Sequence, residues 1–161
     1  KYEVQFTNMY GQTVRKGFTV GETPQQFQLC ITTFVDVELK TLTEKLNNSQ
    51  KLTIKFRSTG CFHSFNSELQ IYSVDGKWQA KYIESMFQDH VENFIALTSE
   101  DMERLIVFEK QLRLIEERFH GCTTTNTYSI YINQKSRFTF TDDGCIWKGY
   151  EELVDDLFGA E

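Results

Sequence analysis

The fold is decided by residues 69–82, which read LQIYSVDGKWQAKY. An Asp-Gly pair separates two runs that alternate apolar and polar residues, and this dipeptide is a favoured two-residue connection in β-hairpins. The turn sets the register of three pairs on one apolar face: Ser73 with Trp78, Ile71 with Ala80, and Leu69 with Tyr82. Turn chemistry and hydrophobic pattern therefore predict the same hairpin.

Alternation predicts further strands on either side of this hairpin. Residues 51–57 place Leu52, Ile54 and Phe56 on one face. Near the start of the chain, residues 2–6, 18–20 and 27–31 also alternate, although Thr23 followed by Pro24 is an alternative helix start at the last of these. A second hairpin is expected if a three-residue loop, Asn133 to Lys135, joins its strands. Its facing residues are then Tyr128, Ile130 and Ile132 on one strand and Phe138 and Phe140 on the other.

Apolar residues that recur every three or four positions predict helices. The longest runs from Thr98 or Ser99 to about Phe119, and its core stripe is Leu105, Phe108, Leu112, Ile115 and Phe119. Shorter helices are expected from Asp36 to Leu46 and from Tyr150 to Phe158. Residues 84–97 fit either a strand or a helix, with 94–97 as a short closing strand.

These elements predict an α+β fold. We expect an antiparallel sheet of about six to eight strands, with the helix at about 99–119 and one or two shorter helices packed on one face. No Gly/Ser-rich or Pro-rich linker interrupts the 161 residues, so residues 1–161 are expected to form a single compact domain.

Composition narrows the class of protein. A net charge of −6 argues against a nucleic-acid partner, which needs a basic field. No apolar run is long enough to predict a transmembrane segment. The chain begins Lys1-Tyr2-Glu3 and holds four cysteines, an even number that favours disulfides. We therefore expect an extracytoplasmic protein: secreted, periplasmic or surface-anchored, for example as a lipoprotein.

Two near-mirror triplets, Cys61-Phe62-His63 and His120-Gly121-Cys122, carry the reactive side chains. The favoured interpretation is a Cys61–Cys122 disulfide, with Cys30 and Cys145 as a second candidate pair supported by parity alone. Alternatives are unpaired structural thiols, a zinc site formed by Cys61, His63, His120 and Cys122, or a cysteine activated by a histidine. The one-residue gaps are shorter than those in zinc fingers, which disfavours the metal.

The polar faces of two predicted strands carry a basic cluster: Lys51, Lys55, Arg57, Lys77 and Lys81, with Tyr72 nearby. If the strands are neighbours, this face is a candidate surface for an anionic glycan, a carboxylate or an acidic partner. The alternative is a solvated outer face without a ligand.

The expected function is binding rather than catalysis. None of the common hydrolase, zinc-protease or nucleotide-binding motifs is present. We expect a noncatalytic exported domain, inhibitor-like or immunity-like, that binds a protein or glycan partner without a cofactor. The alternative is a small metal-dependent or thiol enzyme that uses the two triplets.

Overall fold

The computed structural model describes residues 1–21, 29, 31–86, 89–115, 122–144 and 146–159. Within these ranges the chain forms eight strands and two helices. The strands are β1 (Tyr2–Thr7), β2 (Thr13–Phe18), β3 (Leu52–Gly60), β4 (His63–Val74), β5 (Lys77–Met86), β6 (Asp89–Ala96), β7 (Thr124–Ile132) and β8 (Lys135–Asp142). The helices are α1 (Ser99–Leu114) and α2 (Gly149–Phe158).

A six-stranded antiparallel sheet organises the structure in the order β6-β5-β4-β3-β7-β8. The hairpin predicted from residues 69–82 is confirmed: β4 and β5 pair Ser73 with Trp78, Ile71 with Ala80, and Leu69 with Tyr82. Asp75 and Gly76 have φ of 50° and 75°, which is the backbone that an Asp-Gly turn favours. The ambiguous residues 89–96 are also a strand, paired with β5.

The second hairpin has the predicted facing residues but a different turn. Tyr128 lies opposite Phe140 and Ile130 opposite Phe138, as expected. The loop has two residues, Asn133 and Gln134, both with positive φ, instead of three. A β-bulge beside Ile130 absorbs the extra residue, so the apolar register is kept despite the shorter turn.

The predicted class, α+β with one long helix packed on the sheet, is wrong. Strands hold 47% and helices 19% of the structure, so it is mostly β. Helix α1 packs chiefly against α2, and aromatic side chains lie between α1 and the sheet. Trp147 stacks on Phe108 of α1 with ring centroids 5.6 Å apart and meets the edge of Tyr128 of β7 at 5.1 Å. The layer that covers the sheet therefore consists of two short helices together with these aromatic side chains, and not of one long helix.

Helix α1 starts where predicted and is shorter than predicted. Thr98 is the N-cap: its side chain accepts a hydrogen bond from the backbone of Asp101, whose carboxylate bonds back to Thr98. The helix ends at Leu114, and residues 116–121 lie outside the described part of the chain. Neither described helix combines the length and the apolar content that crossing a membrane requires.

The short helix predicted from Asp36 to Leu46 does not form. This segment is a loop whose backbone at Leu42 and Thr43 donates hydrogen bonds to the carboxylate of Glu109 on α1. Leu42 and Leu46 still pack against the core. The spacing of apolar residues that predicted a helix here therefore marks the buried side of a loop. Tertiary hydrogen bonds took the place of helical ones.

The first two strands form a separate two-stranded sheet. The turn that joins β1 to β2 is the buried end of this small sheet: Asn8, Met9 and Tyr10 are each at most 5% exposed. The Asn8 side chain accepts from the backbone amides of Tyr10 and Gln12 and donates to the carbonyl of Thr33. Of the predicted strand at 27–31, most residues lie outside the described ranges.

Candidate binding face

The six-stranded sheet has two unlike faces. The inner face holds Leu52, Ile54 and Phe56 of β3 and packs under the helices. The opposite face, here called the outer face, carries the alternate residues of the same strands, including Thr53, Lys55 and Arg57. Strand alternation creates this separation, since successive side chains point to opposite faces.

Two adjoining grooves of about 640 Å³ and about 530 Å³ lie on the outer face. Both are lined by Lys55, Glu68, Gln70 and Tyr131, which belong to the neighbouring strands β3, β4 and β7. These volumes fall in the range of small-ligand sites, and most of the lining side chains are charged, amide or hydroxyl groups. The chemistry therefore suits a hydrophilic ligand.

Glu68 organises the centre of the grooves. The register of β3 and β4 places it directly opposite Lys55, and the carboxylate lies 3.4 Å from the Lys55 ammonium. The amide nitrogen of Gln70 donates a hydrogen bond to the other carboxylate oxygen. The Lys55 ammonium also lies 5.5 Å from the centre of the Tyr131 ring. One acidic side chain thus holds a cation and an amide beside an aromatic ring before any ligand arrives.

The β7–β8 turn forms one end of the first groove. The backbone amide of Lys51 donates to the side-chain carbonyl of Asn133 at 2.8 Å, and the amide of Asn133 donates to the carbonyl of Lys51 at 2.9 Å. These reciprocal bonds fix the turn against the start of β3. Lys51 and Asn133 consequently line the first groove together.

The predicted basic cluster is brought to one face, but its charge is partly neutralised. By strand alternation and register, its six members share the outer face: Lys51, Lys55, Arg57, Tyr72, Lys77 and Lys81. Glu68 pairs with Lys55, and Glu92 of β6 lies 2.8 Å from Lys81. Whether these residues bind a ligand stays a prediction.

Sequence reasoning missed Glu68, Tyr131 and Asn133. Extending the hairpin alternation back from Gln70 by two residues reaches Glu68, so the signal was present. Tyr131 lies on β7 and Asn133 in the turn that follows it, and no local pattern reports that β3 and β7 are neighbours.

The first triplet forms the turn of the β3–β4 hairpin, where Gly60 pairs with His63. The His63 ring lies so close to Gly60 that a Cβ there would meet it at 2.5 Å, so a larger residue would require the ring to move. His63 Nε2 and Ser58 Oγ are hydrogen-bonded at 3.0 Å. The ring therefore has a structural partner within its own hairpin.

The predicted Cys61–Cys122 disulfide is not formed. β3 pairs with β7 so that Gly60 faces Thr124, which brings both cysteines to the same end of the sheet, as expected. However, Cys61 is a free, exposed thiol, and Cys122 is disulfide-bonded elsewhere. Cys61 lies in the β3–β4 turn, where the following residue Phe62 is also fully exposed.

The alternative zinc site lacks one of its four predicted ligands, whereas a thiol site at the free Cys61 stays a prediction. A disulfide-bonded Cys122 offers no thiolate to a metal. His120 lies outside the described residues, as do Cys30 and Cys145. In the described ranges, no three His, Cys, Asp or Glu side chains come together in a way that would hold a metal ion.

Known proteins offer no further guide to this face. No protein-family model matches the chain, and no curated protein has significant sequence similarity to it.

Proposed function

We propose that this protein is a noncatalytic, exported binding domain whose ligand lies on the outer face of the six-stranded sheet. The observation that carries the proposal is the contrast between the two faces. Helices and aromatic rings cover one face, whereas the other holds two adjoining grooves across its central strands. A groove lined by groups already held by hydrogen bonds loses little conformational entropy when it binds.

The lining favours a hydrophilic ligand over an apolar one. Lys55, Gln70 and Glu68 supply donors and acceptors, and Tyr131 supplies an aromatic surface. Protein partners usually bury an apolar centre, whereas the first groove is lined mostly by charged and amide side chains. Of the two partner classes expected from the sequence, a glycan therefore suits the face better.

Export rests on separate observations. The chain has an even number of cysteines, and Cys122 is disulfide-bonded. Disulfides persist mainly in oxidising compartments. Fractionation of cells that produce the full-length protein tests this part, because recovery in the cytoplasmic fraction alone would refute it.

The binding face is tested by filling the groove. Gln70→Trp places a large ring at the centre of both grooves, where strand propensity tolerates aromatic residues. Thr139→Trp is the matched control, since Thr139 is an exposed residue on the same face of β8 and lines neither groove. Both variants and the parent protein are screened against one panel of immobilised oligosaccharides and acidic peptides, with melting temperature as the check on folding.

The expected result is a panel ligand that binds the parent protein and Thr139→Trp but not Gln70→Trp. Binding that is unchanged in Gln70→Trp would place the ligand elsewhere and refute the proposed face. A panel in which no member binds the parent protein would also count against the proposal.

A further inference from the structure

Among the described residues, two cations that line the grooves have no acidic partner: Lys51 in the first groove and Arg57 in the second. Lys51 precedes β3 and Arg57 lies near its other end, and both are exposed. In the described part of the chain neither forms an ion pair, in contrast to Lys55 and Lys81. At strand geometry the six residue steps from Lys51 to Arg57 span roughly 20 Å on one face. The grooves are thus bordered by two separated positive charges, Lys51 at the first and Arg57 at the second, in a protein whose net charge is −6.

The centre between these cations is electrically balanced. Glu68 is 27% exposed, pairs with Lys55 and accepts a hydrogen bond from Gln70. A ligand with closely spaced negative charges would meet this carboxylate and be repelled. A ligand with hydroxyl groups at the centre and separated negative charges would meet complementary groups along the whole groove.

Tyr131 provides the apolar part of the same site. It is partly buried, lies opposite Thr53 of β3 and borders both grooves. Aromatic side chains combine a broad apolar surface with a polar tip, which suits a ligand that has both kinds of group. The C–H face of a pyranose ring is such a surface, and its hydroxyl rim would face Gln70 and Asn133.

We infer that the ligand is an acidic oligosaccharide with carboxylate groups, of the uronic-acid type, lying across the outer face between Lys51 and Arg57. This inference rests on the proposed binding function and names its ligand class. Lys51 and Arg57 bind the carboxylates, the Glu68–Lys55–Gln70 group bonds to hydroxyls, and Tyr131 packs on a sugar ring.

An acidic peptide fits this site less well. Extended peptides add to sheets through the free backbone groups of an edge strand. The grooves lie over β3, β4 and β7, whose backbones are engaged with neighbours on both sides, whereas the edges are β6 and β8. A peptide on the outer face would therefore depend on side chains alone.

The test uses four probes of similar length, measured by isothermal titration calorimetry with the full chain. They are a hexasaccharide in which a uronic acid alternates with a neutral sugar, its methyl ester, a heparin-derived hexasaccharide and a hexaglutamate peptide. The charge variant is Lys51→Gln with Arg57→Gln. The matched control, Lys16→Gln with Lys40→Gln, removes two exposed positive charges away from the grooves.

We expect the acid hexamer to bind best and the methyl ester to bind more weakly. Each lost cation should weaken acid binding about two- to fivefold, the range of an exposed ion pair. The control variant should bind like the parent, and added salt should reduce the difference between acid and ester.

Three results would overturn the inference: equal affinity for acid and ester, tighter binding of heparin, or tighter binding of hexaglutamate. If acid and ester bind equally and Gln70→Trp abolishes both, the binding face stands and only the ligand class is wrong. If none of the four probes binds, the ligand class is likewise refuted, and the wider panel with Gln70→Trp decides about the face.

Discussion

Glu109 on α1 receives two hydrogen bonds from Thr43, a residue 66 positions earlier in the chain. The backbone amide and the hydroxyl of Thr43 each donate to the same carboxylate oxygen at 2.9 Å. The other oxygen accepts from the amide of Leu42 at 2.7 Å and lies 2.6 Å from the Arg113 guanidinium. Because Glu109 is 1% exposed, this carboxylate is the anchor of the loop that replaces the predicted helix.

Glu109→Gln should lower the free energy of unfolding by about 1–3 kcal/mol, since an amide leaves buried donors without an acceptor. Its NH₂ group would also face the loop amides or Arg113, which are donors themselves. Glu103→Gln is the control, because Glu103 is exposed on the same helix. Urea denaturation of both variants measures the difference, and equal stability of the two would contradict the anchoring role.

Alkaline pH should destabilise the protein through its buried tyrosines. Burial raises the pKa of Tyr10 to about 12 and also raises the pKa of Tyr128 and of Tyr150. An unfolded tyrosine has a pKa of about 10. Above that pH the unfolded chain has released protons that the folded chain keeps, so the free energy of unfolding falls as pH rises.

Denaturation from about pH 9 to about pH 11 tests this dependence. Tyr10→Phe should make the free energy of unfolding fall less steeply with pH, because one group with a raised pKa has been removed. Tyr2→Phe is the control variant, since Tyr2 is 62% exposed. Identical slopes for the two variants would show that Tyr10 does not contribute.

Gly76→Ala should cost about 1 kcal/mol of stability. Its φ of 75° is strained for any residue with a Cβ, while no atom lies within 4 Å of the position a Cβ would take. The cost is therefore conformational rather than steric. Gly17→Ala in β2 is the matched control: its Cβ would meet only the Tyr2 carbonyl at 3.9 Å, so we expect no loss. Thermal unfolding that ranks the two variants in the opposite order would refute this explanation.

Native, unreduced protein should react with iodoacetamide at Cys61 and not at Cys122. Cys61 is free and exposed in the β3–β4 turn, whereas Cys122 is disulfide-bonded. Peptide mapping by mass spectrometry locates the label, and Cys61→Ser should lose it without a change in melting temperature. Protection of both cysteines would restore the disulfide first expected from the sequence.

The amino-acid sequence by itself determined the structure wherever the interacting residues are close along the chain. The Asp75-Gly76 turn specified the whole β4–β5 register, because only a few residues accept positive φ and alternation leaves one register that buries the apolar face. The cap at Thr98 and the ion pair between Glu100 and Arg104 were predictable for the same reason: both act within one helical turn.

Only the tertiary structure decided what distant segments do together. The pairing of β3 with β7, the loop bound by Glu109 and the cysteine that remains free all depend on which chain positions meet in space. Such contacts follow from the collective burial of the aromatic layer and the satisfaction of buried polar groups, which no local pattern encodes. The outer face belongs to both categories: alternation predicted its lysines, whereas long-range pairing added Tyr131 and Asn133 and placed the acid of Glu68 beside Lys55.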